Sequence, residues 1–236
     1  MPLCGDVARR EDTARWLRKL ETFTMSSFET AQVLVAYRER SEDRIAVVAN
    51  GDRTVIVVAD GAGGTGDGHI AAETVVRDTL TNHDAIHSST SWSRFLSQLD
   101  VRVHAGEATA VIVDVRPDRI LGASVGDSCA WVIDGPDTTD LTRTQNRKPL
   151  LGSQMAKPAP FWHGPLDGLL LAGSDGFFSY AKRDQVTRLV ARTDFWVVPR
   201  ACVDMVRLPS GDLWDDTAIV ACRVRQTHLS RKRYSI

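Results

Sequence analysis

The stretch Thr54-Val55-Ile56-Val57-Val58-Ala59-Asp60-Gly61-Ala62-Gly63-Gly64 constrains the fold more than any other. Its unbroken apolar run is rich in β-branched residues and has no polar residue at alternate positions, which predicts a strand covered on both faces. The strand carries one carboxylate, Asp60, into a glycine-rich turn. A charge at the end of such a strand is costly unless it faces water or binds a cation. The glycines let the main chain approach a ligand closely. Asp60 is therefore a candidate metal ligand, and a strand closing in a plain Asp-Gly turn is the alternative.

The flanking segments supply further elements in a definite order. Gln32 to Tyr37 leans towards strand, after turn-like polar residues from Met25 to Glu29. Ile45–Ala49 and Thr54–Ala59 bracket Asn50-Gly51-Asp52, a strong hairpin signal. Ala72, Val75, Val76 and Leu80 recur at helical spacing and predict a core-facing helix over 69–81. A second helix is predicted over 91–104, with Trp92, Phe95, Leu96 and Leu99 as its apolar face and Ser91 as its cap. Strands resume at Ala108–Val115, Arg119–Val125 and Cys129–Ile133, separated by Pro117-Asp118 and Gly126-Asp127.

Residues 134–165 hold much of the Pro and Gly and read as a long irregular surface segment. Leu166–Ala172 is a strand ending in Gly173-Ser174-Asp175-Gly176. Helices are predicted over 182–192 and 194–206, the second interrupted or bent by Pro199. Thr217–Val224 is the last strand. Hairpin-linked strands with two helix pairs predict an α+β fold, a four-layer α-β-β-α sandwich of two mainly antiparallel sheets flanked by helix pairs.

At 236 residues the chain suits one sizeable domain. Residues 25–226 are expected to form it, with a helical extension over 1–24 and a basic tail over 227–236. Trp16, Leu17, Leu20 and Phe23 share one face of the extension, which either packs on the domain or docks a partner. The net charge of −1 points away from nucleic acid. No apolar stretch is long enough to cross a bilayer, and Arg9, Arg10, Glu11 and Asp12 interrupt any signal-peptide core. The cysteines at 4, 129, 202 and 222 form no CxxC pair, and three of them sit in apolar surroundings as buried thiols do. A reducing, cytoplasmic setting is expected.

Carboxylates recur at strand ends: Glu42-Asp43, Asp60, Asp127, Asp175 and Asp215-Asp216. Strand ends from different parts of a sandwich converge, and several carboxylates brought together repel one another and take up protons. Hard divalent cations with oxygen ligands, Mg²⁺ or Mn²⁺, remove that repulsion. No His cluster suggests zinc.

Arg38, then Glu42-Asp43, Asp60-Gly61-x-Gly63-Gly64, Gly126-Asp127-Ser128, Ser174-Asp175-Gly176 and Asp215-Asp216 before a closing strand form an ordered series. The series resembles the metal-dependent protein phosphatases of type 2C, over about residues 35–224. The resemblance implies a serine/threonine protein phosphatase with two Mg²⁺ or Mn²⁺ ions, in which a water bridging them attacks phosphorus in line. Asp60 would bridge the ions, Glu42 and the Gly61 carbonyl would serve the second, and Asp175 and Asp215 would hold the first. Asp43 would orient water from behind the ligands, and Asp127 would sit near an optional third ion. Arg38 would bind the phosphate, with Arg40 and Arg44 as neighbours able to substitute; on a strand, Arg38 and Arg40 would share a face with Glu42. Gly63-Gly64 would make room for the ions and phosphate, and a reduced or rebuilt flap would lie within 136–165.

The chain departs from that family at three places. Ala62 stands where some members carry a His as general acid, Ser179 where a third-metal Asp is usual, and Asp216 where many have Asn. His69 is expected at a helix start on the surface. The implied partner is a phosphoprotein, either a serine/threonine kinase or its target, acted on by a monomer. The alternative is a pseudophosphatase that uses the same fold as a binding or regulatory module.

Overall fold

The computed structural model describes residues 26–62 and 66–226. The elements in order are β1 (Phe28–Val35), β2 (Arg44–Asn50), β3 (Arg53–Ala59), β4 (Gly61–Ala62), α1 (Gly68–Asn82), α2 (Ser89–Arg102), β5 (Glu107–Ala108), β6 (Ala110–Arg116), β7 (Arg119–Val125), β8 (Cys129–Asp134) and β9 (Asp137–Asp140). They continue with β10 (Ala159–His163), β11 (Leu169–Gly173), α3 (Asp175–Phe178), α4 (Arg183–Arg192), α5 (Val198–Met205) and β12 (Thr217–Val224). Two antiparallel five-stranded sheets result, ordered β1-β12-β11-β8-β9 and β10-β7-β6-β3-β2.

Side-chain alternation along the strands builds the layers. On β3, Val55, Val57 and Ala59 pack against Ala72 and Val75 of α1 and Trp92, Leu96 and Leu99 of α2. Ile56 and Val58 point the other way, onto Val132, Leu170, Ala172 and Val220 of the opposite sheet. β12 repeats the arrangement, with Ala218, Val220 and Cys222 between the sheets and Ile219 and Ala221 against Phe177, Val198, Cys202 and Val203. The chain is thus a four-layer α-β-β-α sandwich, as the strand and helix order predicts.

Several local expectations change. Residues 134–165 are not wholly irregular: β9 and β10 form the outer strands of the two sheets, and Leu141, Leu150, Leu151 and Phe161 are buried. β1 begins at Phe28, inside the stretch read as turn-like. Ser88, not Ser91, caps α2, its Oγ accepting from the Ser91 N–H at 3.1 Å. The segment read as one helix over 194–206 divides into a 3-10 turn, Phe195–Val197, and α5, and Pro199 lies in the first turn of α5, where its missing N–H costs nothing. Cys202 and Cys222 are buried, and burial pushes both thiols up to about 12; Cys129 is only half-buried. The expectations for 1–24, 227–236 and Gly63-Gly64 lie outside the described residues.

Two buried acids hold the layers together. Asp114 on β6 accepts from Arg53 at 2.9 and 2.8 Å, from Arg116 at 3.2 and 3.0 Å, and from the Trp92 indole at 3.2 Å. Asp100 on α2 accepts from the backbone N–H groups of Gly152, Gln154 and Ala156 at 2.8, 3.0 and 2.9 Å. It thereby pins the loop between β9 and β10 against the helix layer.

Candidate active site

The chain between β1 and β2, residues 36–43, is a bend rather than a strand, so face-sharing does not relate Arg38, Arg40 and Glu42. Asp216, at the foot of β12, shapes the bend. Its two carboxylate oxygens accept from the Tyr37 N–H at 2.7 Å and the Glu42 N–H at 2.6 Å. An acceptor with two oxygens suits two converging donors, which accounts for Asp at this position. Arg44 holds the far side of the same bend, donating to the carbonyls of Ser41 and Asp43 at 2.7 and 2.8 Å. It is a structural arginine and does not line the cleft, contrary to its expected role as a substitute phosphate ligand.

The end of β3 is set by close backbone packing. A Cβ on Gly61 would lie 2.3 Å from the Gly68 carbonyl carbon, so the turn can touch the start of α1 only as glycine on glycine. The same contact brings two oxygens together: the Glu42 Oε2 and the Gly61 carbonyl each lie 2.9 Å from where a Cβ on Gly68 would sit. Asp60 follows β3 directly, its carbonyl accepting from Thr109 N–H at 2.8 Å. Asp127 lies in the turn between β7 and β8, and Asp175 opens α3. The backbone of Gly176 in α3 runs against the Asp216 carbonyl, with no room for a Cβ.

Carboxylate oxygens of Asp60, Asp127 and Asp175 all lie within 4.8 Å of one another. Asp215 lies on the cleft wall outside this triad, one oxygen accepting from the Asp216 N–H at 2.8 Å. Asp43 is fully buried behind the triad, and neither of its carboxylate oxygens has a hydrogen-bond partner. Burial foremost, then the charges of Asp43 and Asp175, pushes Asp60 up to about 10. Burial, then the charges of Asp216 and Asp175, pushes Asp43 up to about 7. Asp175 is raised as well, by burial and then by Asp127 and Asp215. Converging carboxylates, a backbone carbonyl and an unpartnered buried acid are what an oxygen-liganded divalent cation requires. The residues fit such an ion.

A cation entering this site must displace the proton that the Asp60–Asp43 pair holds near neutral pH. Calorimetric titration with Mn²⁺ at pH 7, in buffers of differing ionisation heat, is expected to show release of about one proton per molecule. Affinity is expected to fall as pH drops from 8 to 6; heats independent of the buffer would contradict the protonation described.

The site opens into a cleft of about 640 Å³. Arg38, Arg40, Glu42, Asp60, Gly61, Asp127, Asp175 and Asp215 all line it, so of the expected catalytic and metal-binding residues only the buried Asp43 does not reach the same space. Arg38 also lies over the Tyr37 ring at 5.4 Å. His69 does not line the cleft. Sequence reasoning missed Tyr37, Thr109, Lys148, Leu150 and Trp214. Lys148 and Leu150 arrive on the loop that Asp100 pins. Only the adjacency of Tyr37 to Arg38 and of Trp214 to Asp215 could have pointed to those two.

No family model and no curated protein sequence matches the chain. Its fold does match solved structures. A Streptococcus agalactiae serine/threonine phosphatase superposes with a TM-score of 0.72 at 16% identity, covering 84% of this chain and 100% of that one. Serine/threonine phosphatase Stp1 from Staphylococcus aureus gives 0.69 at 18% identity, covering 86% and 96%. The catalytic domain of the serine/threonine phosphatase PstP, in complex with two manganese ions, gives 0.69 at 14% identity, covering 84% and 99%. At these identities the likeness is one of fold: the chain has the sandwich of bacterial serine/threonine phosphatases.

Proposed function

We propose that the chain is a type 2C metal-dependent serine/threonine phosphatase that hydrolyses phosphomonoesters on proteins. The observation that carries this reading is the convergence of Asp60, Asp127 and Asp175 in a cleft that also receives Arg38, Arg40 and Lys148. Asp60, Asp175 and Asp215 would hold one Mg²⁺ or Mn²⁺; Asp60, Glu42 and the Gly61 carbonyl would hold a second. Asp127 would serve a third or complete the first, since Ser179 supplies no carboxylate. Ions bound there supply Lewis acidity and lower the pKa of water. Arg38 presents a guanidinium fork to the phosphate oxygens and stabilises charge as it develops on them. Asp43, buried behind Asp60, accepts a proton and orients water from behind the ligands. Asp216 holds Glu42 in register through its backbone N–H. The cell compartment proposed is the cytoplasm, with a phosphorylated protein, a kinase or its target, as partner and a monomer as the working form.

Hydrolysis of p-nitrophenyl phosphate and of a phosphothreonine peptide is the test. Turnover is expected with Mn²⁺ or Mg²⁺, to vanish with EDTA and to return on adding metal. Arg38→Ala is expected to raise KM about tenfold, more than Arg40→Ala does. Metal-independent turnover, or none with any metal, would overturn the reading. Ala62 and Ser179 favour one second reading, a pseudophosphatase. It predicts binding of phosphoprotein without turnover.

A further inference from the structure

Three aromatic residues stand exposed around the cleft, each tied to a segment that carries a site residue. Trp214 immediately precedes Asp215, lines the cleft and is 51% exposed. Tyr180 follows α3, the helix opened by Asp175, and is 45% exposed. The two rings stack with centroids 5.2 Å apart and planes 9° from parallel. Tyr37, 46% exposed, lines the cleft beside Arg38, and Asp216 fixes its backbone. Tyr180 stacks on the indole from one side, and about half of the Trp214 surface stays in water. Large apolar rings left in water beside a polar cleft mark a recognition surface.

Resting on the phosphatase reading, we infer that the stacked Trp214–Tyr180 pair is a specificity shelf that binds an apolar or aromatic side chain flanking the phosphorylated residue of an extended peptide. The phosphate goes to the carboxylate and arginine end of the cleft. The neighbouring side chain then lies across the indole and removes its exposed face from water. The pair gives no advantage to a bare phosphoamino acid, which has nothing to lay on it.

The test is a set of phosphothreonine peptides in an otherwise Ala/Gly sequence, carrying Phe, Leu, Ala or Asp at the residue before or after the phosphothreonine. Free O-phosphothreonine is the reference, with Mn²⁺ present. Peptides with Phe or Leu on one side are expected to have kcat/KM about tenfold above the Ala peptide, mostly through KM. Trp214→Ala is expected to reduce that preference to about twofold or less, and Trp214→Phe to retain most of it. Tyr180→Ala, which leaves Trp214 and its neighbour Asp215 in place, is expected to weaken the preference as well. A flat profile in the unaltered protein, or an equal loss on all peptides and on O-phosphothreonine in the variants, overturns the shelf and leaves the phosphatase reading standing. Absence of all turnover overturns the phosphatase reading instead. The shelf is then judged by tryptophan fluorescence on titration with non-hydrolysable phosphonate peptides, where flank-dependent binding lost in Trp214→Ala supports it and flank-independent binding refutes it.

Discussion

Asp60→Asn is expected to lower metal-dependent turnover by about 10³-fold while leaving the sandwich folded. The side chain sits where β3 ends, with a carboxylate oxygen within 4.8 Å of those of Asp127 and Asp175, and in the proposed reading it would serve both ions. Asparagine preserves shape but offers a neutral oxygen, so calorimetric Mn²⁺ binding is expected to weaken along with turnover. The metal-free protein responds in the opposite sense. Asp60 is raised from 3.8 to about 10 in the folded state, so the folded chain holds a proton that the unfolded chain gives up. Folding stability in EDTA therefore falls as pH rises from about 4 towards about 10. Asparagine never gives up a proton, so thermal melts in EDTA at pH 5 and pH 9 should show a smaller decline in the variant. Undiminished turnover in Asp60→Asn, or an unchanged pH slope, would contradict the assignment.

Asp114→Ala is expected to destabilise the fold by about 3 kcal/mol, the largest single effect away from the cleft. Asp114 is fully buried and takes both guanidinium groups edge-on, with the Trp92 indole as a fifth donor. Arg53 and Arg116 also reach the Ile86 carbonyl, at 2.7 and 3.4 Å, so the network fixes the turn between α1 and α2. Without the carboxylate, two cations lose their counter-charge at the edge of the core and a buried indole loses its acceptor. Urea unfolding reads the loss; a change below about 1 kcal/mol would mean that the arginines re-solvate freely.

What could be read beforehand was what the chain states locally. The β3 run, the Asn50-Gly51 hairpin and the helical face of Ala72, Val75 and Val76 specify their own geometry, so element order and layers followed. Asp60, Asp127 and Asp175 were legible because each closes or opens a strand beside glycine, and strand ends of a sandwich share a pole. Asp114 and Asp100 were not legible as anchors: an acid on a strand or helix looks solvent-facing until its partners, 61 residues away for Arg53 and 52 for Gly152, are in place. Lys148 and Leu150 were hidden for the same reason, since the loop that carries them is held by the distant Asp100. β9 and β10 were missed because short outer strands bearing Pro160 and threonines lack the apolar run that marks a central strand.

The clamp by Asp216 carries a consequence for synthesis. The Glu42 N–H waits for an acceptor 174 residues downstream, and β1 waits for β12 to pair with it. A ribosome that has extruded Glu42, Asp60, Asp127 and Asp175 has released four candidate ligands and still has no seat for Glu42. Chains cut short before Asp216 and β12 lack the acceptor for the Tyr37 and Glu42 N–H groups and the strand that pairs with β1, so Arg44 alone would be left to shape the bend. The emergence of β12, rather than of the ligands themselves, sets when the site can assemble.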